Sequence, residues 1–85
     1  DIAVSNGTDA MYTISNALSN YGMSIEFEME GNNVYGKTYA SNGTFTWGGK
    51  AIRKNGGIRV VAVGTADYAF DQYSGVINQV FNSIR

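Results

Sequence analysis

Carboxylates are the residues of this chain best placed to do chemistry. Glu26, Glu28 and Glu30 alternate with Phe27 and Met29, and Asp67 and Asp71 follow later. Glycoside hydrolysis needs two carboxylates flanking a cleft. In an extended strand Glu26 and Glu28 stand about 7 Å apart by strand rise, within reach of that geometry. An exposed strand face is not a cleft, however, and nothing apolar beside them would raise one pKa. They read as a solvated face, with Glu26 paired to Lys37.

Other reactive chemistry is thinly represented. His and Cys are absent. That excludes zinc sites built on them, haem ligation by His, Ser-His and Cys-His nucleophile pairs, and imidazole acid–base work. Gly48-Gly49-Lys50 and Gly56-Gly57 look like phosphate cradles, but neither follows a strand and opens a helix, as a phosphate loop does. Gly64-Thr65-Ala66-Asp67 does run from a strand into a helix, where an anion could bind. Asp67 would repel it, so helix capping is the reading there. No catalytic, metal or cofactor residue is assigned, and the chain is not expected to be an enzyme.

The elements that would carry a binding surface are easier to read. Ile2 and Val4 alternate with Ala3 and Ser5, a short edge strand. Thr8 can cap a helix with Asp9 in its first turn, where a carboxylate suits the dipole. Ala10, Met11, Ile14, Ala17, Leu18 and Tyr21 keep helical spacing, and Gly22 ends the helix. Met23, Ile25, Phe27 and Met29 then alternate with Ser24, Glu26, Glu28 and Glu30, which gives one buried and one wet strand face.

Gly31-Asn32, Asn42-Gly43 and Asn55-Gly56 mark hairpin turns. As two-residue loops they predict a register. Glu26 faces Lys37, Ile25 faces Thr38, and Phe27 faces Gly36. Ala40 faces Phe45, Thr38 faces Trp47, and Gly36 faces Gly49. Ala51 faces Val60, Gly49 faces Ala62, and Trp47 faces Gly64. Gly36, Gly49 and Ala62 then form a small-residue row under a helix. A bulge at Gly48-Gly49 is the alternative. Asp67 caps a last helix with Phe70, Tyr73, Ile77, Val80 or Phe81, and Ile84 at helical spacing; Gly75 marks a close contact. The expected core is Ile14, Leu18, Ile25, Phe27, Trp47, Val60, Ile77 and Val80.

The whole chain, 1–85, therefore reads as a single α+β domain in the order β-α-β-β-β-β-α. A four- or five-stranded antiparallel sheet, mainly a meander, carries two helices on one face. Area scaling gives a folded surface of roughly 4,900 Å², with about 60% of the unfolded surface buried. This is a marginal core for a chain without disulfides.

The register places Tyr35, Tyr39, Ile52, Val61 and Val63 on the face opposite that core, with Lys37, Lys50 and Arg59 beside them. An apolar, tyrosine-bearing face with a basic fringe suits a partner surface, unless a helix or the N-terminal segment covers it. Tyr35, Tyr39, Ile52, Val61, Val63, Lys37 and Arg59 are the candidate binding residues, for a protein partner or a second copy. A net charge of −1 argues against nucleic acid or an anionic membrane. The charge is unevenly placed, with five acids and no base in 1–36 and five bases and no acid in 37–65.

Only 15% of residues are charged, against a usual ~25%, and Asn, Ser, Thr, Gly and Tyr carry the polarity. That bias suits a secreted or envelope protein. Asn6-Gly7-Thr8 and Asn42-Gly43-Thr44 match the glycosylation sequon, but Asn-Gly also marks turns. No apolar run is long enough to span a membrane. The start at Asp1 suggests a trimmed chain, with a lipid anchor possible upstream.

Asp9–Ile25, Val34-Tyr35-Gly36-Lys37, Asn42-Gly43, and Val60–Thr65 running into a helix with Ser74, Ile77 and Ile84 resemble a family of small bacterial envelope lipoproteins. Those domains read as a helix ending in LGY, a strand with GxI or GK, a DG turn, then VRVGTFGD and a terminal helix. The likeness spans most of the chain. Ala66-Asp67 replaces the family's Phe-Gly-Asp, and the lipid-bearing Cys is absent. The resemblance implies a helix-grip-like domain in the periplasm or envelope, with no characterised activity. The function expected is a non-enzymatic extracytoplasmic domain working through protein contacts. A secreted effector or toxin subunit is the alternative.

Overall fold

The computed structural model describes residues 3, 4 and 6–84. Helix α1 (Gly7–Ser19) is followed by strands β1 (Ser24–Glu30), β2 (Asn33–Ala40), β3 (Gly43–Lys54) and β4 (Gly57–Ala66). A 3-10 turn (Asp67–Ala69) leads into helix α2 (Phe70–Ser83). The strands form one antiparallel meander in the order β1-β2-β3-β4. Of the expected N-terminal strand, Ala3 and Val4 are not in a strand, and Val4 packs against the core instead. Ile2 and Ser5 lie outside the described residues.

The α1 termini follow from local chemistry. Asn6, not Thr8, is the N-cap, and its side chain accepts from the Asp9 N–H at 2.8 Å. Asn6 stands one turn ahead, where its carbonyl oxygen can reach that orphan donor. At the other end Gly22 has φ +77°. Its N–H donates to the Ser19 carbonyl, and the Met23 N–H donates to the Leu18 carbonyl, both at 3.1 Å. This is a Schellman closure, which needs a left-handed residue at the position glycine fills.

Two hairpins follow the predicted register. Glu30 pairs with Asn33 around Gly31-Asn32, and Lys54 pairs with Gly57 around Asn55-Gly56. Asn55 and Gly56 both have positive φ, 27° and 83°, as a type I′ turn requires. The middle hairpin differs. Its loop is Ser41-Asn42, so Ala40 faces Gly43, Thr38 faces Phe45, Gly36 faces Trp47 and Val34 faces Gly49. The shift seats the Trp47 indole over Gly36 and lets Nε1 donate to the Thr38 hydroxyl at 3.0 Å. Gly36 and Gly49 are therefore not neighbours. Because side chains alternate with a period of two, a two-residue shift leaves every side chain on its predicted face. Pairing is continuous through Gly48-Gly49, with no bulge.

The two helices do not share a face. Tyr12 of α1 meets Phe27 edge-on, with ring centroids 5.4 Å apart, and Ala10 packs with Ala51, Ile58, Met29 and Val60. These strand residues lie on one face by the register. Phe81 of α2 stacks on Tyr35 and rests over Gly48, both on the other face. The sheet is the middle layer of three. The physical reason lies in side-chain size on the second face. Gly48 leaves a hollow that admits a Phe81 ring, and Phe70, Ser74, Ile77 and Phe81 form the inward stripe of α2.

The buried core is accordingly Ala10, Met11, Val34, Ala51, Ile58 and Ile77. Of the expected core, Ile77 is buried, while Ile14, Leu18, Ile25, Phe27, Trp47 and Val60 are half-buried and Val80 is exposed. One helix per face spreads the apolar contacts over two thin layers instead of one thick one. A β-carbon built on Gly75 would meet nothing within 4 Å outside its own helix backbone, so Gly75 marks no close contact.

Candidate functional site

The register keeps the seven candidate residues on one side of the sheet, but that side is not left open as expected, because α2 packs on it. On it, Tyr35 sits in a row with Glu28, Gly48 and Val63. Lys37 lies between Glu26 and Thr46, Tyr39 between Ser24 and Thr44, and Ile52 opposite Arg59. Val61 neighbours Lys50. Helix α2 crosses this face over β3 and β4 and splits the seven residues into two groups. Tyr35, Tyr39 and Lys37 remain on the β1–β2 side, and Ile52 and Val63 are half-buried. Val61 and Arg59 stay exposed on β4.

The uncovered half forms a cleft of about 760 Å³ between α2 and the sheet. Its sheet wall is Glu26, Glu28, Tyr35, Lys37 and Thr46, and its helix wall is Phe70, Asn78, Phe81 and Asn82. Tyr35 and Phe81 stack at 5.8 Å between centroids with 24° between planes and form an aromatic floor. Lys50 places its ammonium 5.1 Å from the Phe81 ring centroid, a cation–π contact that steadies that ring. The carboxylates read from sequence as a plain wet surface thus line a cleft. The sequence had no signal for the missing wall, because α2 supplies it from the far end of the chain.

Two lining residues of the cleft, Lys37 and Thr46, belong to a polar cluster with Asp67. The Lys37 ammonium pairs with Asp67 at 3.2 Å, rather than with Glu26 opposite it. Lys37 reaches Asp67 because the chain turns back over the sheet at the end of β4. The Thr46 hydroxyl also donates to Asp67. Asp67 is therefore an anchor and not a helix cap; the 3-10 turn it opens has no side-chain cap. The Thr46 hydrogen bond, then Lys37, hold the Asp67 carboxyl below its ordinary range. Partial desolvation, then the neighbouring Glu26 carboxylate, raise the Tyr39 phenol.

Lys37 is the one basic side chain among the described cleft residues, and its charge is answered by Asp67. Glu26 and Glu28 leave the cleft acidic. Among the described residues no cluster of His, Cys, Asp or Glu could hold a metal ion. Among the described residues no helix is long and apolar enough to cross a membrane. Comparison with protein-family models, with curated proteins and with solved structures gives no match.

Proposed function

We propose that this chain is a non-enzymatic, extracytoplasmic domain of the envelope-lipoprotein kind that binds a partner polypeptide in the cleft beside α2. The observation that carries the reading is the pairing of an aromatic floor, Tyr35 on Phe81, with the carboxylates of Glu26 and Glu28. Aromatic rings supply contact area at low entropic cost, and the carboxylates at the rim select the partner by charge. The partner segment that fits combines Lys or Arg with an apolar or aromatic side chain. An acidic rim disfavours nucleic acid. The extracytoplasmic setting rests on composition, with 15% charged residues and polarity carried by Asn, Ser, Thr, Gly and Tyr.

A peptide-display selection on the immobilised domain tests this. Basic–aromatic peptides should be enriched, their binding should weaken with salt, and Glu26→Gln with Glu28→Gln should abolish the enrichment. Equal enrichment on wild type and double variant removes the reading.

A further inference from the structure

A second surface stands apart from the cleft and does not depend on it. Among the described residues strand β4 is an edge of the sheet, ten residues long, with Arg59 as its single charge and no proline. Its pairing with β3 is continuous from Gly57 to Ala66, so no bulge turns it away. An edge of this kind offers a free row of backbone donors and acceptors, which proteins usually guard with charge, proline or a bulge. The other edge is so guarded, by Glu26, Glu28 and Glu30 on β1. Along β4, Arg59, Val61, Ala62 and Gly64 are exposed.

Helix α2 continues this surface. Asn78 and Asn82 face the cleft over β1 and β2. At 100° per residue, Tyr73, Val76 and Val80 fall on the opposite flank, toward the β4 edge. They are 46%, 57% and 42% exposed, and Val61, on the side of β4 that α2 covers, is 37% exposed. Spacing of three and four makes them a stripe, the pattern a helix uses to meet another helix. An amphipathic helix in water does not need two apolar stripes, and the inward one is already Phe70, Ser74, Ile77 and Phe81.

We propose that two copies of this chain associate through β4, pairing antiparallel about a two-fold axis to form one eight-stranded sheet. A two-fold axis perpendicular to the sheet keeps each face continuous. Both α2 helices then lie on the same side, with Tyr73, Val76 and Val80 of each copy meeting across the axis. The occupant is a second copy because the surface is self-complementary. Its edge is apolar and nearly uncharged, and its helix stripe is apolar, so neither meets a repelling partner in its own image. Symmetric pairing closes the assembly and leaves only the acidic β1 edges outside. The cleft on the β1–β2 side stays open in each copy.

Sedimentation of the wild-type chain should show twice the 9.2 kDa monomer mass. Val76→Glu with Val80→Glu, and separately Val76→Lys with Val80→Lys, should each weaken association roughly a hundredfold, as loss of two central apolar anchors does. Mixing the acidic and basic variants should restore the dimer. Circular dichroism of each variant should match wild type, because the changed side chains are exposed in the single copy. Hydrogen exchange adds an independent reading, since the outward amides between Val61 and Gly64 should be protected only in the dimer. A wild-type chain that stays monomeric overturns the proposal. So does a dimer indifferent to both variants, or a β4 edge already protected in the monomer, which would mean that the chain covers its own edge.

Discussion

Phe81 stacks on Tyr35 directly above Gly48, and this contact fixes where α2 lies on the sheet. A β-carbon built on Gly48 would stand 3.4 Å from Phe81 Cδ2 and 3.5 Å from Tyr35 Cδ1. The smallest addition just touches both rings, and anything larger must move one of them.

Gly48→Ala should therefore be nearly neutral, while Gly48→Val should cost about 1–3 kcal/mol through overpacking. Strand propensity alone orders the substitutions the other way, favouring Val. Urea melts of the two variants decide between them. A stabilising Gly48→Val would mean that α2 does not rest there.

The Trp47–Gly36 contact gives a parallel expectation on the opposite face. A β-carbon at Gly36 would collide first with the backbone carbonyl oxygen of Glu26 and would also stand 2.7 Å from Trp47 Cζ2. Gly36→Ala should cost about 3 kcal/mol, because β1 must move away from β2, and should shift the emission of the single tryptophan, because the indole over Gly36 is displaced as well. Unchanged fluorescence with unchanged stability would contradict the observed β2–β3 register.

Acid should destabilise the domain partly through Asp67. Its folded-state pKa lies below its ordinary 3.8. A depressed carboxyl contributes stability that is complete above the unfolded pKa and is lost as pH falls through the folded one. Thermal melts from neutral pH down to about pH 2 should therefore converge for wild type and Asp67→Asn at the acid end and separate above pH 3.8. Added salt should narrow the gap, since the Lys37–Asp67 pair is partly exposed. Parallel curves at all pH values would exclude this role.

Core depth can be tested by contrast. Met11 is 2% exposed and Tyr68 95%. Met11→Ala should cost about 2–5 kcal/mol, and Tyr68→Ser should stay within about 0.5 kcal/mol of wild type. Denaturant midpoints that fail to separate would mean that α1 is not docked on the sheet.

Much of this architecture is local, and local chemistry is written in the sequence. The alternation from Met23 to Glu30 decides which side of β1 is wet. Gly22 stops α1 because a left-handed residue is needed there. Asn55-Gly56 closes the third hairpin because both residues take positive φ. The second hairpin resisted reading because Asn42-Gly43 looks like the same turn, yet Gly43 is the first residue of β3. Its face assignments survived, since an error of two residues does not change a side chain's side.

Which face each helix takes is another matter. The inward stripes of α1 and α2 are both apolar, and nothing in their spacing tells one side of a sheet from the other. That choice depends on contacts between residues far apart in the chain, above all Phe81 with Tyr35 and Gly48. The cleft exists only through this placement, which sets Asn78 and Asn82 opposite Glu26 and Glu28 and brings Asp67 back to Lys37. Residue types and strand faces were determined by the sequence alone because they depend on near neighbours. The cleft was decided by tertiary packing, because its helix wall, Phe70 to Asn82, lies far along the chain from its sheet wall, Glu26 to Thr46.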